Sequence, residues 1–466
     1  MMQESRLGAL LASKFFLVYA LLALFVTSPR MPPTGDEPHY LIAAHSLAVD
    51  HDLSLKENYV KRDYRLFYPA VLAKRTTLTD DRSRELPAFG PGLAMFLTPF
   101  YWLAVTFFPA SLVPFLRLVM CGVTALALWT LMVLHRRFGG GAAGLSTLPV
   151  FAFASPLVTY SSQFYPEIVA FLLLALAVLR LDEAEERPLR SAAWLALLAP
   201  ALIWLHPKYL ALSGLLLLLS AYKFYTISRT TGRRWWWLPL LQAAGIAAFF
   251  VFLHAEYGSW SPNRIYGGAQ KEASLLDLLT REGASRLWVM ARMIFGYWID
   301  QRFGILVYAP AYIAFFPGMI WCRRRYGARL VPAAALFAAH FLLISWGAQM
   351  GGFAPPSRHL VVLIPLLLLP VLLVVQHWDR AQRWLFWFLS SLGLIVSVLI
   401  FTHYRLIFTN ATWRNPDGYS EFWTWLGMQN QIPRLTAAPP DFTAAVVWTL
   451  AVLLLARLLY PRAGVE

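Results

Sequence analysis

An all-α polytopic membrane protein is the fold class this sequence predicts, and three observations predict it. Hydrophobic residues make up 58% of the 466-residue chain and charged residues 14%, against roughly 45–50% and about 25% in a soluble domain. Apolar runs recur at the length that crosses a bilayer, about 17–25 residues. The short connections between many of those runs carry clustered Arg and Lys. An apolar excess of this size exceeds what one globular core can bury, and lipid is the solvent that accommodates it.

The first run, residues 9–28, is longer than the roughly 7–15 apolar residues of a secretory signal and has no small-x-small site before Pro29. It reads as a retained first span. Residues 29–113 follow as a long amphipathic outer loop. Inside it, residues 89–108 are apolar enough to cross but contain Gly90, Pro91, Gly92 and Pro99. Further spans are expected at 114–135, 143–160, 164–181, 191–207, 209–224, 237–254, 304–322, 329–346, 358–376, 384–402 and 442–460. With the first, that makes about 12 transmembrane helices, with outer loops also at 255–302 and 403–441.

Basic residues decide how 89–108 lies. If it rests along the outer surface, His135-Arg136-Arg137, the connection 223–234, Arg323-Arg324-Arg325 and the connection 378–383 share one side. Positive residues in short loops mark that side as cytoplasmic. If it crossed, every later loop would invert. It is therefore expected to be an amphipathic juxtamembrane helix, and both termini are expected in the cytoplasm. The formal charge of +15 needs no nucleic acid, because positive-inside anchoring to membrane lipids explains it. Cys121 and Cys322 fall in or beside apolar runs and offer neither a disulfide framework nor a metal cluster. The expected organisation is a catalytic transmembrane module over 1–260 and a variable one over 261–466. The expected home is a plasma (inner) membrane, with the outer loops on the periplasmic or extracellular side.

On this layout the chemically rich residues face one compartment. Thr34-Gly35-Asp36-Glu37-Pro38-His39-Tyr40 is the most informative stretch, because two adjacent carboxylates beside a membrane helix are costly and seldom idle. Glu167 follows Pro166, Lys208 sits in His206-Pro207-Lys208-Tyr209, Arg358 precedes His359, and Arg264 lies in the second long loop. An acidic pair, separate cations and many aromatics suit an anionic headgroup carrying a sugar. Attack of a hydroxyl on an anomeric carbon needs a base near the nucleophile and cations near the departing phosphate. Asp36 and Glu37 are the expected catalytic carboxylates, Asp36 as the base and Glu37 in an orienting role. Lys208, Arg358 and Arg264 are expected to hold the donor phosphate. His39, Tyr40, Glu167, His206 and His359 are expected to contact substrate.

Plainer roles compete with these. Asp36 and Glu37 suit the N-terminus of a helix starting near Pro38. Lys208 and Arg358 suit snorkelling at helix ends, and Glu167 suits the start of the span at Pro166. His39, His45 and His51 recur every six residues, which does not align on one helical face, so a metal site built on them is not expected. A divalent cation held by Asp36 and Glu37 is compatible with the pattern, but no cofactor is required.

Gly35-Asp36-Glu37-Pro38-His39-Tyr40, followed by Ala43-Ala44-His45-Ser46-Leu47, resembles the first-outer-loop Asp-Glu motif of GT-C fold membrane glycosyltransferases. The branch it resembles is that of the protein O-mannosyltransferases and aminoarabinose transferases. Phe89-Gly90-Pro91-Gly92 is similar to the juxtamembrane helix that follows there. Arg117, leading into a span that ends His135-Arg136-Arg137-Phe138-Gly139, resembles their second span and its basic turn. Tyr165-Pro166-Glu167 falls where a second acidic residue is frequent. The resemblance covers roughly residues 10–260. It implies an inverting transferase that uses a polyprenyl-phosphate-linked sugar, with Asp36 as base and a glycan, lipid or protein acceptor. This chain carries no large C-terminal soluble domain and no sequon-binding motif of the oligosaccharyltransferase kind. The alternative, a transporter or flippase of lipid-linked saccharides, predicts pseudo-symmetric halves and broken mid-membrane helices. No inverted similarity between the halves is visible in the sequence.

Overall fold

The computed structural model describes residues 18–23, 33–79, 83–266, 283–346, 354–403, 406, 419–436 and 440–461. Among these the protein is α-helical, with one short antiparallel hairpin that pairs Thr76–Leu78 with Glu85–Pro87. Seven helical stretches are long and apolar enough to cross a membrane: Pro109–Arg137, Pro188–Leu205, Pro207–Thr231, Pro239–Tyr257, Pro310–Trp346, Arg358–His377 and Arg380–Thr402. Shorter apolar helices cover Gly92–Phe107, Ala142–Phe153 and Phe442–Leu458. Most of the run 9–28 lies outside the described residues, of which 18–23 are helical.

Apolar stretches are interrupted where proline or glycine dictates it. The 143–160 run becomes Ala142–Phe153 and Leu157–Tyr160, parted at Pro156, whose ring also excludes Ser155 from helical geometry. The stretch Pro310–Trp346 holds two helices, Phe315–Tyr326 and Val331–Trp346, with Gly327 at φ +50° between them. Arg323, Arg324 and Arg325 end the first of these helices, where cations favour the negative end of the helix dipole.

Large apolar side chains stay exposed along the outer faces. Leu240, Leu241 and Val251 do so on Pro239–Tyr257, and Phe388, Ile395 and Val398 on Arg380–Thr402. In water such stripes would invite association. Against lipid tails they are the ordinary outer face of a membrane helix.

The chain forms two compact units, each assembled from separated segments. One comprises Met1–Met31, Cys121–Ser162 and Ala284–Glu466. Its Ile364–Val374 helix is buried throughout and packs against Phe315–Tyr326 and Ala142–Phe153. Asp379 opens the Arg380–Thr402 helix with a reciprocal cap to Gln382. The fully buried Asp300 carboxylate accepts from the backbone amides of Arg302 (2.9 Å) and Thr436 (3.0 Å) and from the Thr436 hydroxyl (3.1 Å).

The other unit comprises Pro32–Met120 and Gln163–Gly283. Its Pro188–Leu205 helix packs against Pro166–Glu183, Leu210–Thr231 and Pro239–Tyr257. Three of these four begin with proline in the first turn, where the missing N–H has no intrahelical partner to lose. The helices Glu37–His45 and Gly92–Phe107 lie together, and Gly92–Phe107 also meets Pro188–Leu205. That last approach requires Gly92: a Cβ there would stand 2.2 Å from the Trp204 carbonyl oxygen. Gly92→Ala is expected to lower stability by about 1–3 kcal/mol, the usual effect of overpacking. Thermal unfolding in detergent checks this; an unchanged midpoint would contradict the close backbone contact.

Candidate functional site

The site grows from a turn. Gly35 adopts φ +60° after Thr34, a left-handed conformation that glycine takes without strain. Asp36 occupies the N-cap position, and Glu37 and Pro38 fill the first turn of Glu37–His45, a helix buried at all nine positions. Glu37 is 1% exposed. Its Oε2 accepts from the Thr34 amide at 2.8 Å and its Oε1 from the Phe164 amide at 3.0 Å. The Tyr165 hydroxyl adds a bond to the Thr34 carbonyl at 3.4 Å. Glu37 therefore clasps the Gly35-Asp36 turn to the segment that leads into the Pro166–Glu183 helix. Asp36 stays half-buried at the turn itself.

Three residues after Phe164, Glu167 lies fully buried in the first turn of that helix. Lys208 Nζ donates to Glu167 Oε1 at 2.6 Å, with the lysine side chain 16% exposed. Each of these residues read alone as a helix-end charge in the sequence; in the fold they are one ion pair. Removing either partner would strand a charge in a poorly solvated place, a costly change. His206 orients the same loop, its Nδ1 accepting from the Lys208 amide at 3.2 Å. The Tyr266 hydroxyl lies 3.2 Å from both ring nitrogens of His206.

A second line of contacts joins these groups. Phe89 stacks on His39 with ring centroids 5.6 Å apart and leans on Tyr40 at 5.5 Å. The next residue, Gly90, has φ +69°, and a Cβ on it would stand 3.6 Å from Pro207 Cδ. The Phe89-Gly90-Pro91 turn thus runs from the His39-Tyr40 helix to the loop that carries Lys208. Asp36, Glu37, His39, Tyr40, Glu167, His206 and Lys208, 172 positions apart from first to last in sequence, all belong to one unit.

His39 is electrically silent at neutral pH. Burial pushes it down from 6.5 to about 4, outweighing the upward pull of the Asp36 charge, while Arg75 adds to the lowering. Its Nδ1 pairs with the Tyr59 hydroxyl at 3.0 Å. Between about pH 6.5 and 4 the unfolded chain carries a proton on this ring that the folded chain does not. Stability therefore falls as pH falls through that window, by up to about 3 kcal/mol at its lower end, with no contribution above it. His39→Gln is expected to flatten the fall. Burial lowers His45 as well, so some slope remains. Melting midpoints taken in detergent across this window decide it, and identical slopes would contradict a buried neutral His39.

Of the other residues expected at the site, Arg264 stands nearby in sequence to Tyr266 but spends its guanidinium on backbone, the Tyr257 carbonyl at 3.2 Å and the Leu78 carbonyl at 3.4 Å. Arg358 and His359 belong to the other unit, where they begin the Arg358–Leu363 turn. Sequence reasoning gave no site role to Tyr59, Phe89 or Arg117. Arg117 is fully buried, with its guanidinium 5.7 Å from the Phe164 ring centroid. The available signal for it was an arginine inside an expected span. No protein-family model matches this chain, and no curated protein matches it either.

Proposed function

We propose that this chain is an integral-membrane glycosyltransferase of the GT-C kind, moving a sugar from a polyprenyl-phosphate donor to an acceptor on the non-cytoplasmic face. In this reading about 12 helices cross the bilayer, both termini are cytoplasmic, and Gly92–Phe107 lies along the outer surface beside the site. The acceptor hydroxyl oxygen attacks the anomeric carbon and Asp36 takes its proton. The bond from that carbon to the phosphate oxygen breaks, and the polyprenyl phosphate leaves with the electron pair. A single displacement of this kind inverts the anomeric centre. Lys208, held by Glu167, donates to the phosphate as its charge grows. His39, Tyr40 and His206 border the sugar, and Glu37 positions the turn that carries the base. These steps ask for no cofactor.

The observation that supports this reading most is the Glu37 clasp. It brings an otherwise isolated Asp-Glu motif to the segment that carries the Glu167–Lys208 pair, beside helices fit for lipid. The test is donor consumption by purified protein, with a panel of polyprenyl-phosphate sugars and a cell-envelope extract as acceptor. Consumption of one donor and release of free polyprenyl phosphate are expected. Movement of intact donor across vesicles without consumption would overturn the proposal in favour of a lipid-linked saccharide transporter.

A further inference from the structure

Just past the helix that begins at Asp36, the chain gathers a second set of polar groups. His45 ends Glu37–His45, Asp50 ends the π-helical turn Ser46–Asp50, and Asp63 opens the turn Asp63–Leu66. One potential ligand atom from each of His45, Asp50 and Asp63 lies within 4.8 Å of the others. His45 Nε2 faces Asp63 Oδ2 at 3.8 Å, and His45 Nδ1 is paired with the Tyr101 hydroxyl at 3.0 Å. A hydroxyl held on one ring nitrogen fixes the imidazole and leaves the other nitrogen for a metal.

Asn58 supplies the independent observation. It is 1% exposed, and its amide is turned into the cluster, Nδ2 donating to Asp50 Oδ2 at 2.7 Å and to Asp63 Oδ2 at 3.0 Å. Its Oδ1 is buried and has no hydrogen-bond partner among the described residues. A buried amide oxygen with nothing to accept from is costly. With a cation between the carboxylates, turning the amide over exchanges the Nδ2 bonds to Asp50 and Asp63 for an Oδ1–cation bond at the centre of the cluster and moves the NH₂ to the outer position.

We propose that His45, Asp50 and Asp63, with the Asn58 amide oxygen, form a binding site for a divalent transition-metal ion. One imidazole with carboxylate and amide oxygens suits Zn²⁺ or Mn²⁺ better than Mg²⁺, which favours oxygen and water ligands. Bond lengths of about 2.0–2.2 Å place ligand atoms about 3–3.5 Å apart, so the cluster closes by about 1 Å on binding. His45 is buried while Asp50 is exposed, which leaves an entry route and room for water ligands. The ion joins four successive elements, Glu37–His45, Ser46–Asp50, the Lys56–Lys61 helix that carries Asn58, and Asp63–Leu66, and braces the far end of the helix that starts at Asp36. It is distinct from the Asp36 turn and does not depend on the reaction proposed there.

The test uses full-length protein purified without a polyhistidine tag, stripped with EDTA and incubated separately with MnCl₂ and ZnCl₂. About one ion per chain is expected to survive desalting. Asp63→Asn and Asp50→Asn are expected to bind at least tenfold more weakly, and Glu57→Gln, an exposed acid outside the cluster, as wild type does. Pulsed EPR of the Mn²⁺-loaded wild type is expected to show coupling to one imidazole nitrogen, a readout that needs no variant to fold. Equal retention by wild type and Asp63→Asn, or no nitrogen coupling, would overturn the site.

Discussion

Asp36→Asn is expected to lower donor turnover by roughly 10²–10⁴-fold, the range that a general base contributes, while stability stays within about 0.5 kcal/mol of wild type. The two effects separate for a physical reason. Asn matches Asp in size and caps a helix N-terminus as well, and the Asp36 side chain makes no capping hydrogen bond to the helix it precedes. What the substitution removes is the carboxylate that would receive the acceptor proton. The loss is therefore expected in kcat rather than in KM for the donor, because the phosphate contacts assigned to Lys208 are untouched. Lys208→Met should divide the other way, raising KM as well as lowering kcat, and it leaves Glu167 buried without its cation. Equal turnover by wild type and Asp36→Asn would remove Asp36 as base.

How much of this was legible in the sequence depends on the range of the interaction. The helical character followed from apolar run length, which is local; the break at Pro156 fell inside a run, 143–160, that read as one span, and Gly327 lies between the separate runs 304–322 and 329–346. A helix starting near Pro38 was legible for the same reason; Glu37, expected in an orienting role, accepts from two backbone amides. The partner of that clasp was not legible, because Phe164 lies 127 residues away and its amide carries no side-chain signature. The same holds for Lys208 and Glu167, 41 residues apart, which read as separate cation and acid until the fold paired them. The His45 cluster was hidden by a different fault. Periodicity compared histidines with histidines, whereas the groups that meet are one histidine, two aspartates and an asparagine, brought together by a π-helical turn and by His51 and Arg62 at φ 62°. No regular helical face describes that path.

Glu37→Ala is expected to destabilise the protein by about 3–6 kcal/mol, the worth of two hydrogen bonds to a charged acceptor at about 1.5–3 kcal/mol each. The substitution leaves the Thr34 and Phe164 amides facing a small apolar cavity at a position 1% exposed. Glu37→Gln keeps one acceptor oxygen and presents an NH₂ to the second amide, so roughly half of the loss is expected. Denaturant or thermal unfolding of both variants in one detergent gives this order: wild type, then Gln, then Ala. Turnover is expected to fall with stability here, and that is what separates a positioning residue from the base: Glu37 acts by holding Asp36 in place, so conditions that restore folding should restore part of the activity. For Asp36→Asn they should restore none. If Glu37→Gln unfolded with wild type while turnover vanished, Glu37 would itself be the proton acceptor and the two carboxylates would exchange roles.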